Sequence, residues 1–246
     1  MAVAARRRGP IRIRELHDPR DPMVRAAHRV LRGVLPAGEV VDWQEWRATL
    51  REAQARVWTD ARWHLLVAVQ GRTVVGLASG TYLGSLQLGM VGYLATHPRV
   101  RGRGLGPRLR ARLRACFERD ARRFQGAPLT AIVGEVDRES PWLWRLVRSQ
   151  RALALALPYE QPSLRPGDPP SRLVLYYQAL GSPRRWLPPG EVRRMLYAIW
   201  RRLYRISQPL QRPAFRRMLR WLARQRRVYG LPPAVAPRRS PSLPRE

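Results

Sequence analysis

The sequence of 246 residues contains no lysine and no asparagine, so all 47 of its Lys and Arg residues are arginine. Codons for lysine and asparagine are A-rich and those for arginine are G/C-rich, so we attribute this bias to the base composition of a G/C-rich genome. The lack of lysine also has a chemical consequence. A Walker-type phosphate loop needs its lysine, and a pyridoxal-phosphate enzyme needs a lysine for its Schiff base. Both classes of protein are therefore excluded.

Cysteine and long apolar runs are also scarce. The single cysteine, Cys116, permits no internal disulfide, which fits a reducing cytoplasm. No stretch of about 18 apolar residues is present, so we expect no membrane-spanning helix. Residues 1–8 contain arginines without an apolar core of secretory length behind them. These features predict a cytoplasmic protein.

Acidic residues are few, and the 17 that are present leave a formal net charge of +30. A field of this sign attracts anions such as nucleic acid, acidic lipid or phosphorylated ligands. A solvated basic surface, inflated by the codon bias, is the alternative explanation. The charge by itself therefore does not identify a partner.

The periodicity of apolar residues predicts an α+β fold with one mixed, mostly antiparallel sheet flanked by helices. The predicted strands are residues 11–16, 65–69, 73–83, 86–96, 129–136 and 172–180, and the predicted helices are residues 23–35, 41–55, 107–124 and 141–152. Asp42 is a plausible N-cap because Glu45 follows three residues later. The strands 65–69 and 73–83, joined through Gln70 and Gly71, form the predicted hairpin.

The character of the chain changes after Ser182. We assign residues 1–182 to the main domain, residues 183–229 to a basic amphipathic extension, and residues 230–246 to a Pro- and Arg-rich tail that we expect to be disordered. The extension contains two predicted helices, residues 191–206 and 214–228. Their basic faces and tryptophans suit an anionic membrane surface or nucleic acid. Packing of their apolar stripes on the main domain or on a second subunit is the alternative that we favour.

A glycine-rich loop separates the predicted strand 86–96 from the helix that follows it, and its sequence is Arg101-Gly102-Arg103-Gly104-Leu105-Gly106. Such a loop suits a phosphate-bearing ligand, because glycine permits close backbone approach and the helix N-terminus carries partial positive charge. The dinucleotide fingerprint G-x-G-x-x-G does not fit, since Pro107 stands where its third glycine would be.

The stretch from Val91 to Gly106 resembles the acyl-CoA loop of the GNAT superfamily of N-acetyltransferases, which reads Q/R-x-x-G-x-G/A. Arg101, Gly104 and Gly106 fill its three fixed positions. The order of predicted elements extends the resemblance over residues 11–180. The resemblance implies transfer of an acetyl group from acetyl-CoA to a primary amine of a small molecule or protein, by direct attack.

The resemblance also implies which backbone groups would hold acetyl-CoA. In the family, the strand before the loop separates from its neighbour at a bulge, and its exposed groups pair with the pantetheine arm. In this chain those groups would belong to Leu94, Ala95 and Thr96, with a backbone N–H near Leu94 facing the oxyanion. The pyrophosphate would lie on the N–H groups of residues 101–106.

Catalytic groups are less clearly marked by the sequence. Glu135, near the end of the strand 129–136, is the first candidate for general base, although a solvated carboxylate at a strand end has the same pattern. Tyr93 is the second candidate, with core packing as its alternative. Many family members have a tyrosine as general acid where this chain has Val147. The acid could therefore be water or another tyrosine (Tyr159, Tyr176 or Tyr177), or could be absent. A basic binding module on the same scaffold, with weak or no catalysis, is the alternative function.

The histidines and the single cysteine do not have the sequence spacing of metal ligands, so we predict no metal site. They are His17, His28, His64, His97 and Cys116. Cys116 lies on the apolar face of a predicted helix and is expected in the core. Residues 158–164 precede the last strand, where family members line the acceptor side, and are a candidate substrate contact.

Overall fold

The computed structural model describes residues 9–232, except residues 151 and 166. The strands are β1 (Ile11–Leu16), β2 (Ala61–Gln70), β3 (Thr73–Leu83), β4 (Leu88–Thr96), β5 (Ala131–Val136), β6 (Ala152–Ala154), β7 (Glu160–Gln161), β8 (Ser171–Arg172), β9 (Val174–Ala179), β10 (Trp186–Leu187) and β11 (Val228–Tyr229). The helices are α1 (Pro22–Arg32), α2 (Trp43–Gln54), α3 (Leu105–Gln125), α4 (Pro141–Gln150), α5 (Pro189–Ala198) and α6 (Pro213–Ala223), and a π-helical turn, Ile199–Leu203, continues α5.

Seven of these strands form one sheet in the order β1-β2-β3-β4-β5-β9-β6. Within this sheet every neighbouring pair is antiparallel except β4 and β5, which are parallel. Two further pairs, β7 with β8 and β10 with β11, form small separate sheets. The predicted α+β fold, with a mixed and mostly antiparallel sheet, is confirmed.

Most predicted elements are present, and their ends differ where the sequence offered no clear stop. The strand predicted from residue 86 begins at Leu88, because a 3₁₀ turn ends at Leu86 and Gln87 has a left-handed φ of 52°. The strand predicted over residues 172–180 is divided between β8 and β9. Asp42 is the N-cap of α2 and accepts a hydrogen bond from the Gln44 N–H at 2.7 Å, as the spacing predicted.

Helix α3 packs on one face of the sheet, and small residues in the strands let it approach. A Cβ atom placed on Gly89 would lie 2.1 Å from the ring of Phe117, and one on Gly80 would lie 2.7 Å from the same ring. Both positions therefore have to be glycine if this ring is to lie against the sheet. Helix α4 completes the cover of this face, which we call the α3 face, with Leu143 and Leu146 in the same core cluster.

The opposite face is covered in two halves. Helices α1 and α2 bury side chains such as Leu31 and Trp46 against β2 and β3. Helices α5 and α6 bury side chains such as Leu196 and Phe215 in one cluster with residues of β4, β5 and β9. The apolar stripes of the C-terminal helices are thus used for packing on the sheet of the same chain, as the favoured alternative expected.

The C-terminal segment, residues 183–232, stays attached to the sheet up to its last described residues. Leu187 and Val228 are paired across β10 and β11, and the Leu231 N–H donates to the Ala154 carbonyl at 2.6 Å. Residues 233–246 of the expected tail, like residues 1–8, lie outside the described residues. Among the described helices, none has the length and apolarity that crossing a membrane requires.

Candidate active site

Strands β4 and β5 separate at a defined point. Strand β4 pairs with β3 along its whole length, but its pairing with β5 runs only from Leu88 opposite Ala131 to Val91 opposite Gly134. The register between β3 and β4 shifts at this point, which makes Gly92 the extra residue of a bulge. A bulge bends its strand, so a gap opens between β4 and β5 beyond Val91.

Backbone groups of β4 face this gap. The Tyr93 N–H donates to Ser79 Oγ at 3.3 Å and the His97 N–H donates to the Val75 carbonyl at 2.9 Å, so both point toward β3. Since successive residues of a strand direct their N–H groups to opposite edges, those of Leu94 and Thr96 point toward the gap. Ala95, the middle residue of the predicted set, directs its backbone toward β3.

The predicted phosphate loop forms an open turn at the start of α3. Gly102 and Gly104 have left-handed φ angles of 75° and 69°, and Gly104 is the N-cap of the helix. A Cβ atom on Gly102, Gly104 or Gly106 would meet no other atom within 4 Å, so the turn borders free space. Leu105 is 2% exposed and holds the turn to the sheet.

The electrostatics of this turn favour an anion. The first N–H groups of α3, including those of Leu105 and Gly106, have no acceptor within the helix, and they lie at the positive end of its dipole. The exposed side chains of Arg101 and Arg103 add positive charge. The six predicted residues therefore form one continuous surface on which a diphosphate could lie.

Glu135 follows immediately after Gly134, the last residue of β5 that pairs with β4, and so lies at the edge of the gap. It accepts hydrogen bonds from the hydroxyl groups of Tyr159 and Tyr204, one on each carboxylate oxygen. The Gln161 side-chain amide lies 3.5 Å from the oxygen that Tyr204 binds. The first candidate for general base is therefore held by three polar side chains.

Burial sets the acidity of this carboxyl. It raises the pKa of Glu135 to about 7, although the hydrogen bonds from Tyr159 and Tyr204 act in the opposite direction. Burial also raises the pKa of both tyrosines well above the ordinary value, so both are neutral donors. A carboxyl group that exchanges its proton near neutral pH has the acidity expected of a general base.

Tyr93 and Glu135 line one cavity, which is described below. The hydroxyl group of Tyr93 already has two partners. It donates to the Glu39 carbonyl at 3.0 Å and accepts from the Val41 N–H at 3.3 Å. Burial raises the pKa of Tyr93 to about 12. These contacts fasten the connection between α1 and α2 to the sheet, so packing accounts for Tyr93 at least as well as catalysis does.

The three tyrosines suggested as a general acid lie in different places. Tyr159 contacts Glu135, as described above. The Tyr176 ring is on the α3 face, where it fills the space above Gly134; a Cβ atom there would lie 2.7 Å from the ring. Burial raises the pKa of Tyr177 to about 12, helped by the nearby charge of Glu191 on α5. Tyr176 and Tyr177 are not among the described residues that line the cavity.

A cavity of about 880 Å³ lies on the face opposite α3 and includes Glu135 in its wall. The sheet contributes Trp63 and Tyr93, helix α2 contributes Glu45 and Trp46, and the C-terminal segment contributes Leu203, Tyr204 and Ile206. Residues 161–165, within or next to the predicted substrate stretch 158–164, also line it. Tyr204 was not predicted, because the C-terminal segment carries no motif that points to this site.

A second polar cluster is buried under α3. The His64 ring lies between Glu15 Oε1, 2.6 Å from Nδ1, and Asp120 Oδ2, 2.8 Å from Nε2. Cys116 is 1% exposed, as predicted for a core residue, and its thiol donates to Glu15 at 3.7 Å. One ligand atom each of Glu15, His64 and Cys116 lies within 4.8 Å of the others, a grouping that the sequence spacing did not indicate. Since both His64 nitrogens already bind carboxylates, we assign this cluster to the core.

Comparison with known proteins agrees with this arrangement. Residues 35–129 match the model of the acetyltransferase (GNAT) family. The matched part, which includes the glycine turn, is similar to GNAT acetyltransferases. The family resemblance of the loop is thereby confirmed, and the acyltransferase assignment with it. No curated protein matches the sequence.

Three solved structures illustrate the similarity. A protein of Bacteroides thetaiotaomicron assigned to the GNAT acetyltransferases is 17% identical with a TM-score of 0.57, over 80% of this chain and 99% of that one. YncA of Salmonella typhimurium, solved with its cofactor acetyl-CoA, is 20% identical with a TM-score of 0.48, over 71% of this chain and 96% of its own. The ribosomal-protein-S18-alanine N-acetyltransferase of Escherichia coli is 13% identical with a TM-score of 0.48, over 70% of this chain and 96% of its own. The first of these supports the GNAT fold and leaves the acceptor open.

Proposed function

We propose that this protein transfers an acetyl group from acetyl-CoA to the primary amine of a small molecule by direct attack of the amine on the thioester. The observation that carries the proposal is the open glycine turn at the start of α3, next to the gap between β4 and β5. An anion site and a strand with free backbone groups are the two features that a diphosphate joined to an extended amide chain requires.

The donor would be held by backbone groups. The pyrophosphate would lie on the N–H groups of residues 101–106, and the pantetheine arm would extend along β4, where the backbone of Leu94 and Thr96 faces the gap. The space around the three glycines of the turn fits this use. A Cβ atom placed on Gly104 or Gly106 would meet no other atom within 4 Å, so the space beside them is open to a phosphate.

The acetyl transfer would take place where the gap meets the cavity. The Glu135 carboxylate would accept a proton from the ammonium group of the acceptor, and the freed amine would attack the thioester carbonyl. A C–N bond forms, and the C–S bond then breaks as the tetrahedral intermediate collapses. The attacking nitrogen gives up its extra proton and the departing thiolate takes up one proton from solvent, so that coenzyme A would leave as the thiol. The Leu94 N–H, which faces the gap, could stabilise the oxyanion.

The cavity supports a small acceptor. Its volume of about 880 Å³ lies in the range of small-molecule sites, and the C-terminal segment forms one of its walls. Trp46 and Trp63 give it an aromatic side that can contact an apolar body or an ammonium group. A compact amine therefore suits this site better than a folded protein.

The test is calorimetric binding of acetyl-CoA to the wild type and to Gly106→Glu. A Cβ atom at Gly106 would meet no neighbouring atom within 4 Å, and a carboxylate in the first turn of a helix does not weaken the helix. The substitution would, however, place a negative charge where the diphosphate lies. Like charges held together cost several kcal/mol, so we expect the Kd to rise on the order of 100-fold or more with the melting temperature unchanged.

Two control variants separate the effect of the added negative charge from that of a disturbed structure. Gly106→Ala should retain binding. Gly181→Glu introduces the same charge in open space away from the turn, and should also retain it. Unchanged affinity in Gly106→Glu would refute the placement of the donor. Absence of both acetyl-CoA binding at millimolar concentration and thiol release with a panel of amines would refute the function.

A further inference from the structure

We propose that Tyr204, supplied by the C-terminal segment, is a positioning residue for Glu135, so that this segment is part of the active site. The inference rests on the proposed function and adds to it a residue that lies 69 positions from Glu135 in the sequence.

The hydrogen bonds around Tyr204 fix the direction of its proton. Its hydroxyl oxygen accepts from Gln161 Nε2 at 2.7 Å and its hydroxyl group donates to Glu135 Oε2. An amide nitrogen can only donate, so the Tyr204 proton is left for the carboxylate. Tyr159 donates to the other oxygen, and the two tyrosines together prevent the carboxylate from rotating.

The backbone that carries Tyr204 is irregular. Helix α5 widens into the π-helical turn Ile199–Leu203, and the Tyr204 N–H donates to the Ile199 carbonyl at 3.2 Å. Arg205 follows with a left-handed φ of 56°, a conformation that non-glycine residues rarely adopt. π-Helical turns occur frequently at functional sites. This turn directs the Tyr204 side chain into the cavity.

Ion pairs on both sides of Tyr204 hold this turn in place. Arg205 donates to Glu52 Oε1 at 2.7 Å and to Thr49 Oγ1 at 2.8 Å, both on α2. Arg202 donates to Asp60 Oδ2 at 2.7 Å, and its guanidinium lies 4.7 Å from the centre of the Trp58 ring. The turn is therefore fastened to the opposite wall of the cavity.

Removing the Tyr204 hydroxyl group should alter how Glu135 holds its proton. The hydrogen bond from Tyr204 stabilises the charged carboxylate against the effect of burial. Without it, Glu135 would keep its proton to a higher pH, and a smaller fraction of molecules would have the base form at neutral pH. A tyrosine that only packed against its surroundings would have no such effect.

The experiment compares the pH profile of kcat/KM in the wild type and Tyr204→Phe, using acetyl-CoA and the most active amine of the panel. Loss of a hydrogen bond to a charged group disfavours its charged form, so we expect the acidic limb to move upward by roughly one pH unit, with the Kd for acetyl-CoA unchanged. The matched control is Tyr197→Phe, since Tyr197 lies on α5 with its ring against Phe215. Its acidic limb should coincide with that of the wild type.

A second measurement does not depend on turnover. Carbon-13 NMR of labelled glutamate side chains follows the titration of Glu135, whose resonance is the one missing from Glu135→Gln. Its midpoint should rise in Tyr204→Phe and stay unchanged in Tyr197→Phe. If Tyr204→Phe does not fold, Gln161→Leu removes the donor that orients Tyr204 and should raise the midpoint by a smaller amount.

The outcomes distinguish the two proposals. An unchanged midpoint and an unchanged acidic limb in folded Tyr204→Phe would overturn the role of Tyr204. A wild type that acetylates no amine would refute the proposed function, whereas the NMR titration would still decide whether Tyr204 controls the charge of Glu135.

Discussion

At the scale of single residues, the buried charges of the His64 cluster couple the stability of the protein to pH. Burial acts to lower the pKa of His64, but its hydrogen bonds with Asp120 and Glu15 outweigh burial and raise the pKa above 6.5. Burial acts to raise the pKa of Glu15, but the hydrogen bond and charge of His64 lower it to about 2. The charges of His64 and Glu15 therefore stabilise each other in the folded state.

The direction of this coupling gives a prediction for His64→Gln. The stabilisation from His64 is fully present below its unfolded pKa and is lost as pH rises through the raised folded value. The stabilisation from Glu15 is present above pH 4.5, the ordinary pKa of its carboxyl group, and is lost as the pH falls toward about 2. Denaturant unfolding at several pH values should therefore show a loss of free energy of unfolding above about pH 6.5 in the wild type that is absent in His64→Gln.

The difference between variants is the quantity to compare, since Glu135 also loses its proton near neutral pH. His17→Gln is the control: His17 also lies 4.0 Å from Glu15, but its side chain is 71% exposed, so its removal should leave the alkaline loss in place. The same alkaline loss in His64→Gln as in the wild type would show that the cluster is not the cause.

At the scale of secondary-structure elements, the close approach of α3 to the sheet depends on the absence of side chains. Gly89→Ala would place a methyl group 2.1 Å from the Phe117 ring, a distance that packing cannot accommodate without displacing the helix. Overpacking of this kind costs about 1–3 kcal/mol, so the melting temperature measured by circular dichroism should fall by at least about 2 °C.

Gly181→Ala is the matched control for this prediction, because a Cβ atom at Gly181 meets no atom within 4 Å. Its melting temperature should equal that of the wild type. If the melting temperature of Gly89→Ala equals that of the wild type, the Phe117 ring can shift to accommodate the methyl group, and the prediction is wrong.

The same scale shows what the sequence could predict. The hairpin strand Thr73–Leu83 was predicted to the residue, since its apolar run and the Gln70-Gly71 turn are local signals. The glycine loop is also contiguous, and its predicted residues lie together in one turn. The contact of Tyr204 with Glu135 was not predictable, because it joins distant segments through a π-helical turn that has no local sequence pattern. The apolar stripe of residues 191–206 predicted a helix but not this widening.

At the scale of the whole molecule, the net charge of +30 acts on any anionic ligand before contact. Acetyl-CoA carries several negative charges on its phosphates, so a positive field should accelerate its encounter with the protein. Salt screens this attraction over a distance of about 10 Å at 0.1 M ionic strength.

We expect the association rate constant for acetyl-CoA, measured by stopped-flow fluorescence, to fall on the order of tenfold between low and physiological ionic strength. The dissociation rate constant should change less, because in the proposed placement short backbone contacts would hold the bound diphosphate. Sucrose at matched osmolality should leave both constants unchanged. An association rate that is insensitive to salt would show that the arginine-rich surface does not guide the donor.

The separation of β4 from β5 has a consequence for how ligands enter the site and how products leave it. The glycine turn belongs to the helix on one side of the sheet, whereas the cavity opens on the other, so under the proposed function the sheet would stand between donor and acceptor. Each ligand would then have its own entrance, and the two would meet only at the gap beside Glu135. Neither would have to depart before the other arrives, so we expect a ternary complex and release of the two products in either order.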